Sequence, residues 1–193
     1  MRVCFLCLLM AIILGALLPA QEAARPAASV PDDQFIRKQF GASCSANPAV
    51  AAIAADLNGD GIEDVVIPAR CKDPMMDAGD NHYLVIDPYN SFYGLGDPKI
   101  TTQFSTADPE NRDLVLLIIH GEGAPAWRAD APKEKFLIVN LPYKQIQVKR
   151  LLLKKKKVVM AIYSIESGGD QMTSAIFWDG KKYKYQPVGS SME

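Results

Sequence analysis

Histidine, cysteine and long apolar runs are all scarce in this 193-residue chain, and each scarcity removes a class of function. His82 and His120 are its only two histidines. Asp80, Asp87 and Glu122 lie within reach in sequence, but none stands at the spacing of a zinc site or an acid–base pair. Both histidines are therefore expected at the surface or in loops. No Gly-x-Ser-x-Gly elbow occurs, so Leu114 to Gly123, with its strand and His-Gly turn, does not make an α/β-hydrolase. Lysine and arginine number 21 against 22 aspartates and glutamates, a formal net charge of −1. That balance argues against bulk electrostatic capture of nucleic acid. No internal repeat is evident, which speaks against a solenoid or a blade array.

One apolar run exists, from Val3 to Leu18, and it is shorter than the roughly 20 residues of a comfortable membrane span. Arg2 precedes it and Pro19-Ala20 follow, the order of a secretory signal. The expected organisation is a signal peptide over residues 1–20, a flexible leader over 21–31, one β domain over 32–188 and a tail over 189–193. Export to a bacterial periplasm or the medium follows, with no transmembrane segment after cleavage. Loss of Arg2 leaves the mature chain near −2. Of the four cysteines only Cys44 and Cys71 then remain. In an exported protein such a pair is most simply a disulfide, and it brackets residues 56 to 64. Closing a loop of this length is worth roughly 3–4 kcal/mol in the chain-entropy treatment.

The rest of the chain punctuates itself into short elements. Asp32 or Asp33 caps a helix whose apolar stripe is Phe35, Ile36 and Phe40, and Gly41 ends it. Ala49 to Ala55 is ambiguous, because alanine favours helix. Asp64 to Pro68 is β-branched and reads as strand. Further strands are expected at Tyr83 to Asp87, Leu114 to His120, Phe136 to Asn140, Gln145 to Leu153 and Val158 to Ile165. Leu114 to His120 is continuously apolar and should be the central buried strand. Ser174 to Trp178 and Lys181 to Gln186 flank Asp179-Gly180, a two-residue hairpin signal. Seven or eight short strands predict a mainly β fold with a minor α component: an antiparallel sheet or small β-sandwich with one short N-terminal helix.

Against this frame one segment states a chemistry. Residues 56 to 64 read Asp-Leu-Asn-Gly-Asp-Gly-Ile-Glu-Asp. If the loop curls, side-chain oxygens of Asp56, Asn58 and Asp60 converge, Gly61 permits the bend, Ile62 offers its carbonyl, and Asp64 closes the shell. These are hard oxygen donors suited to Ca²⁺. A metal-free turn is the competing reading, since Asn-Gly and Asp-Gly favour positive φ. An EF-hand is ruled out because its twelfth position would be Ile67, followed at once by Pro68.

The stretch Val50 to Ile67, with apolar strands on both sides of Asp-x-Asn-x-Asp-Gly-x-x-Asp, resembles the calcium hairpin of FG-GAP and VCBS repeats. Those families build the blades of integrin-type propellers. The resemblance implies Ca²⁺ held by Asp56, Asn58, Asp60, Ile62 and Asp64. It covers fewer than 20 residues and one loop only, so a propeller is not expected. The expected protein is an exported, calcium-stabilised binding or structural domain whose partner is an extracytoplasmic protein or a glycan.

Two further features bear on partners. Lys149, Arg150, Lys154, Lys155, Lys156 and Lys157 form the only dense charge cluster. It reads as a solvated turn, with weak contact to an anionic surface as the functional alternative. The loops between Asp73 and Ala131 concentrate Gly, Pro, Asp and the aromatics Tyr89, Phe92, Tyr93 and Trp127. A secreted glycan hydrolase with acids there, such as Asp108 and Glu110, is the alternative function.

Overall fold

A computed structural model of the chain describes residues 30–94, 110–141, 143–165 and 172–188. The expected signal, most of the leader, the tail, Asp108 and the side chain of Lys155 lie outside the described residues. The helix α1 spans Asp33–Phe40, and ten strands follow in the order β1 Cys44–Ala46, β2 Ile53–Ala55, β3 Asp64–Cys71, β4 Leu84–Ile86, β5 Leu114–His120, β6 Glu134–Ile138, β7 Gln145–Leu152, β8 Val158–Ile165, β9 Met172–Trp178 and β10 Tyr183–Pro187. A second short helix, α2, occupies Pro88–Phe92, and Lys154–Lys156 form a 3₁₀ turn between β7 and β8. The mainly β expectation is met, as two sheets.

The first sheet runs β1-β3-β5-β6-β4, with β2 also paired to β3; the second is the meander β10-β9-β8-β7. One pairing departs from the antiparallel expectation, because β4 lies parallel to β6. Strand β5 is central, and all seven of its residues are buried. Val115, Leu117 and Ile119 pack with Ile36 and Phe40 of α1, while Leu114, Leu116 and Ile118 meet Ile162 and Ile176 of the second sheet. A strand covered on both faces has no reason to alternate, which is why its sequence is an unbroken apolar run. The two sheets thus share one core, and α1 closes the far side.

Local chemistry fixes the element ends. Asp32 caps α1 by accepting the amide of Phe35 at 2.8 Å. Gly41 ends it at φ 92°, where an added Cβ would overlap Asp77. Strand β3 continues past Pro68, further than its proline suggests. Cys44–Ala46 pairs with Cys71–Ala69 and Ile53–Ala55 pairs with Val66–Asp64, so Pro68 lies level with the gap between β1 and β2. A proline without an N–H is tolerated where no partner strand asks for one. The β9–β10 connection also differs from a two-residue turn: Trp178 pairs with Tyr183, leaving four residues between them. The carboxylate of Asp179 accepts the amides of Lys181 and Lys182 at 2.9 and 3.0 Å and so builds the longer loop.

The disulfide Cys44–Cys71 joins directly opposed residues of β1 and β3. It sits at the far end of β3 from Asp64, roughly 23 Å along the strand. Among the described residues no helix is long and apolar enough to cross a membrane.

Candidate metal centre and the adjoining cleft

Strands β2 and β3 form a hairpin whose connection is residues 56–63. The connection is folded by its own acidic side chains. Asp56 accepts the amides of Gly59 and Gly61, one on each oxygen, at 2.7 and 2.9 Å. Asn58 Oδ1 accepts the amide of Asp60 at 2.9 Å, and its Nδ2 donates to Asp60 Oδ2 at 3.0 Å. Asp60 Oδ1 in turn accepts the amide of Ile62 at 2.9 Å. These nested turns need left-handed backbone at Gly59 and Gly61, with φ of 81° and 85°. The sequence folds this way because Asx side chains satisfy amides two to five residues on.

Asp64 differs from the other four residues of the set. It is fully buried, and its Oδ2 accepts the amides of Leu57 and Asn58 at 2.8 and 3.2 Å. Its Oδ1 accepts the amide of Gly121 at 2.8 Å. The carboxylate therefore clasps the hairpin to the end of β5. Gly121 must be glycine for this approach, since a Cβ there would collide with the Glu63 carbonyl. Burial pushes the Asp64 carboxyl above its ordinary range, against the pull of the three amides and of His120. Glu63 ties the same corner from outside, accepting Trp127 Nε1 at 3.0 Å and Arg128 at 3.2 Å.

Asp60 also has a partner across the hairpin. Lys133 donates to its Oδ2 at 2.8 Å. That ammonium holds the Asp60 carboxyl below its usual value, and the Lys133 ammonium is raised in return.

What could an ion use here? Asp56, Asn58 and Asp60 present oxygens at the solvent-facing tip, and no described residue donates to the Ile62 carbonyl. Asp64 has used three of the roughly four lone-pair directions of a carboxylate. The donor types are those a hard divalent cation takes, and Asp64 is able to add at most one oxygen. Among the described residues no three His, Cys, Asp or Glu side chains are gathered as a metal site. The loop's donors are instead a mixture of carboxylate, amide and carbonyl.

Behind Asp64 lies a polar cluster that the chain's histidine count does not advertise. His120, expected at the surface or in a loop, ends β5 and is 1 % exposed; only His82 is exposed, in a turn at φ 53°. His120 Nε2 is 2.8 Å from the Tyr183 hydroxyl, and its Nδ1 is 3.3 Å from Glu134. Its ring packs against Phe136, Trp178 and Tyr183 at 5.1, 4.9 and 5.7 Å. Burial lowers the His120 pKa, opposed by Asp64 and Glu134. Burial also raises the Tyr183 hydroxyl far above its ordinary value. The available signal was position: a histidine closing a fully apolar run continues that strand and is buried with it.

Beside the hairpin tip opens a cleft of about 630 Å³. One wall is Asp56 to Gly59; the other is the inner face of the β7–β8 hairpin with Arg150, Lys157, Val158 and Met160, and Trp178 lines it as well. Two of the six residues in the expected basic cluster are thus brought to the turn, while Lys149, Lys154 and Lys156 are exposed elsewhere. The loop aromatics divide: Trp127 is buried, whereas Phe92 and Tyr93 are half exposed beside Tyr89.

No family model, curated protein or solved structure matches this chain. The likeness to FG-GAP and VCBS hairpins rests on the nonapeptide and its flanking strands alone.

Proposed function

We propose that this chain is an exported, non-enzymatic binding domain whose β2–β3 hairpin is firmed by Ca²⁺. Asp56, Asn58, Asp60 and the Ile62 carbonyl are the ligands at the tip, and Asp64 supports the loop from below and supplies a fifth oxygen. The observation that carries this reading is the nested turn that brings the Asp56, Asn58 and Asp60 oxygens to one solvent-facing tip. The ion supplies charge neutralisation there. The protein's own part is to pre-curl the backbone, and Lys133 must release Asp60 when the ion arrives.

Export is supported by the N-terminal sequence and agrees with the Cys44–Cys71 bridge. Extracellular calcium modules bind at roughly 10⁻⁴–10⁻³ M. At tenfold excess over such a Kd the linkage term is about 1.4 kcal/mol, enough to firm the fold without creating it. Calorimetric titration of chelator-stripped protein should give saturable heat that Asp60→Asn abolishes. Absence of heat together with an unchanged melting temperature would reduce the loop to a metal-free turn.

The glycan-hydrolase alternative gains no such support. Among the described residues, the cleft beside the tip, that at Asn47, Arg70, Glu110 and Tyr143, and that at Pro88, Phe92 and Tyr185 are each lined by one carboxylate or none. A two-carboxylate mechanism needs a pair in one cleft.

A further inference from the structure

The cleft beside the hairpin tip combines features that no packing requirement explains. Arg150 and Lys157 stand on one wall, and among the described residues neither has a carboxylate partner. Trp178 lines the space; its ring packs against His120, Phe136 and Tyr183, while its indole N–H has no acceptor among the described residues. Met160 adds apolar surface. The facing wall offers the Asp56 carboxylate and the Asn58 amide, held in place by the turn.

We infer that this cleft binds an acidic carbohydrate, a pyranose bearing a carboxylate, as one unit of a short oligosaccharide. The carboxylate meets the cations of Arg150 and Lys157, for which charge-assisted hydrogen bonds are the strong polar contacts. The apolar C–H face of the sugar ring lies against Trp178 and Met160, and a ring hydroxyl accepts from the indole N–H. A volume of about 630 Å³ lies within the range of small-ligand sites. A bare phosphate would leave the apolar floor unused. An anionic bilayer would reach the exposed Lys149, Lys154 and Lys156, but it too would leave the apolar floor of Trp178 and Met160 unused.

This inference rests on the reading of the domain as a binding domain and not on the ion, because Arg150 and Trp178 lie in β7 and β9 and Lys157 directly precedes β8, all outside the 56–64 loop. The test is calorimetric titration of the intact mature protein with trigalacturonic acid, with and without calcium. Neutral galactotriose and phosphatidylglycerol vesicles serve as comparison probes. Arg150→Gln/Lys157→Gln should weaken trigalacturonate binding roughly tenfold or more, and Lys154→Gln/Lys156→Gln should not. Trp178→Phe should weaken it too, with the Tm of each variant confirming the fold. Equal losses in both lysine-containing pairs would overturn the proposal in favour of a diffuse basic surface. Vesicle binding without trisaccharide binding would overturn it in favour of a membrane surface, and no binding of either probe overturns it outright. Calcium heats measured on the same samples separate this failure from failure of the metal reading.

Discussion

Replacing Asp64 by alanine removes one acceptor group and strands three amides, those of Leu57, Asn58 and Gly121. Leu57 and Gly121 are buried, so their N–H groups cannot turn to water, whereas Asn58 is half exposed and can. Each buried donor left unpaired costs about 1–3 kcal/mol. Part of that is returned, because the carboxylate itself is buried and its ionised form is disfavoured there. The net loss is about 3 kcal/mol, which for a domain of this size lowers Tm by roughly 6–12 °C. Asp64→Asn keeps one oxygen, able to satisfy either Gly121 or the Leu57–Asn58 pair but not both, and should fall about midway. Thermal unfolding followed by circular dichroism in chelator measures both without any contribution from metal. An Asp64→Ala protein melting within about 1 °C of the parent would refute the clasp, and with it the claim that the hairpin is anchored through β5.

Two further perturbations probe the same corner and its opposite end. His120 is held neutral by burial, its folded pKa lying below the ordinary 6.5. The unfolded chain therefore takes up the proton first: the stability His120 contributes is full above about pH 6.5 and drains away as pH falls. Asp64, raised by burial, has the opposite sign at lower pH, and Glu134, Lys133 and Tyr183 also face the ring. Comparing Tm at pH 7.5 and 5.5 for the parent and His120→Gln isolates the effect; the variant should lose less on acidification, and equal losses would discard the argument. Reduction of Cys44–Cys71, with a sequence separation of 27, should cost about 3.5 kcal/mol through the freed unfolded chain. Because the bridge lies at the other end of β3 from the tip, reduction should leave the calcium Kd within about twofold when measured well below Tm, and a larger change would show that the two restraints act on one unit.

Most of the elements were legible because their causes are local. Asp32 reads as a cap because the amide it satisfies is three residues away. Leu114 to His120 reads as a central strand because only a strand covered twice is apolar at every position. The turn at 56–63 reads as a tight curl because each Asx side chain finds an amide within five residues. What escaped was decided by partners far along the chain. Strand β4 is parallel to β6 although β5 comes between them in the chain, a matter of connection rather than composition. His120 is buried because Tyr183, 63 residues on, brings a hydroxyl to its ring.

Asp64 shows the limit most clearly. As the ninth residue of a calcium-type motif it reads as one more ligand, equal to Asp56 and Asp60. Its position as the first residue of β3 points its carboxylate inward, and the Gly121 amide that meets it lies 57 residues away. A motif specifies which oxygens are near one another along the chain; it does not specify which of them the rest of the fold will claim. Lys133 makes the same point on Asp60 from 73 residues away. An ion at this tip would therefore meet two competitors absent from the nonapeptide, the Gly121 amide and the Lys133 ammonium. Of these only Lys133 is a side chain that can swing away into solvent.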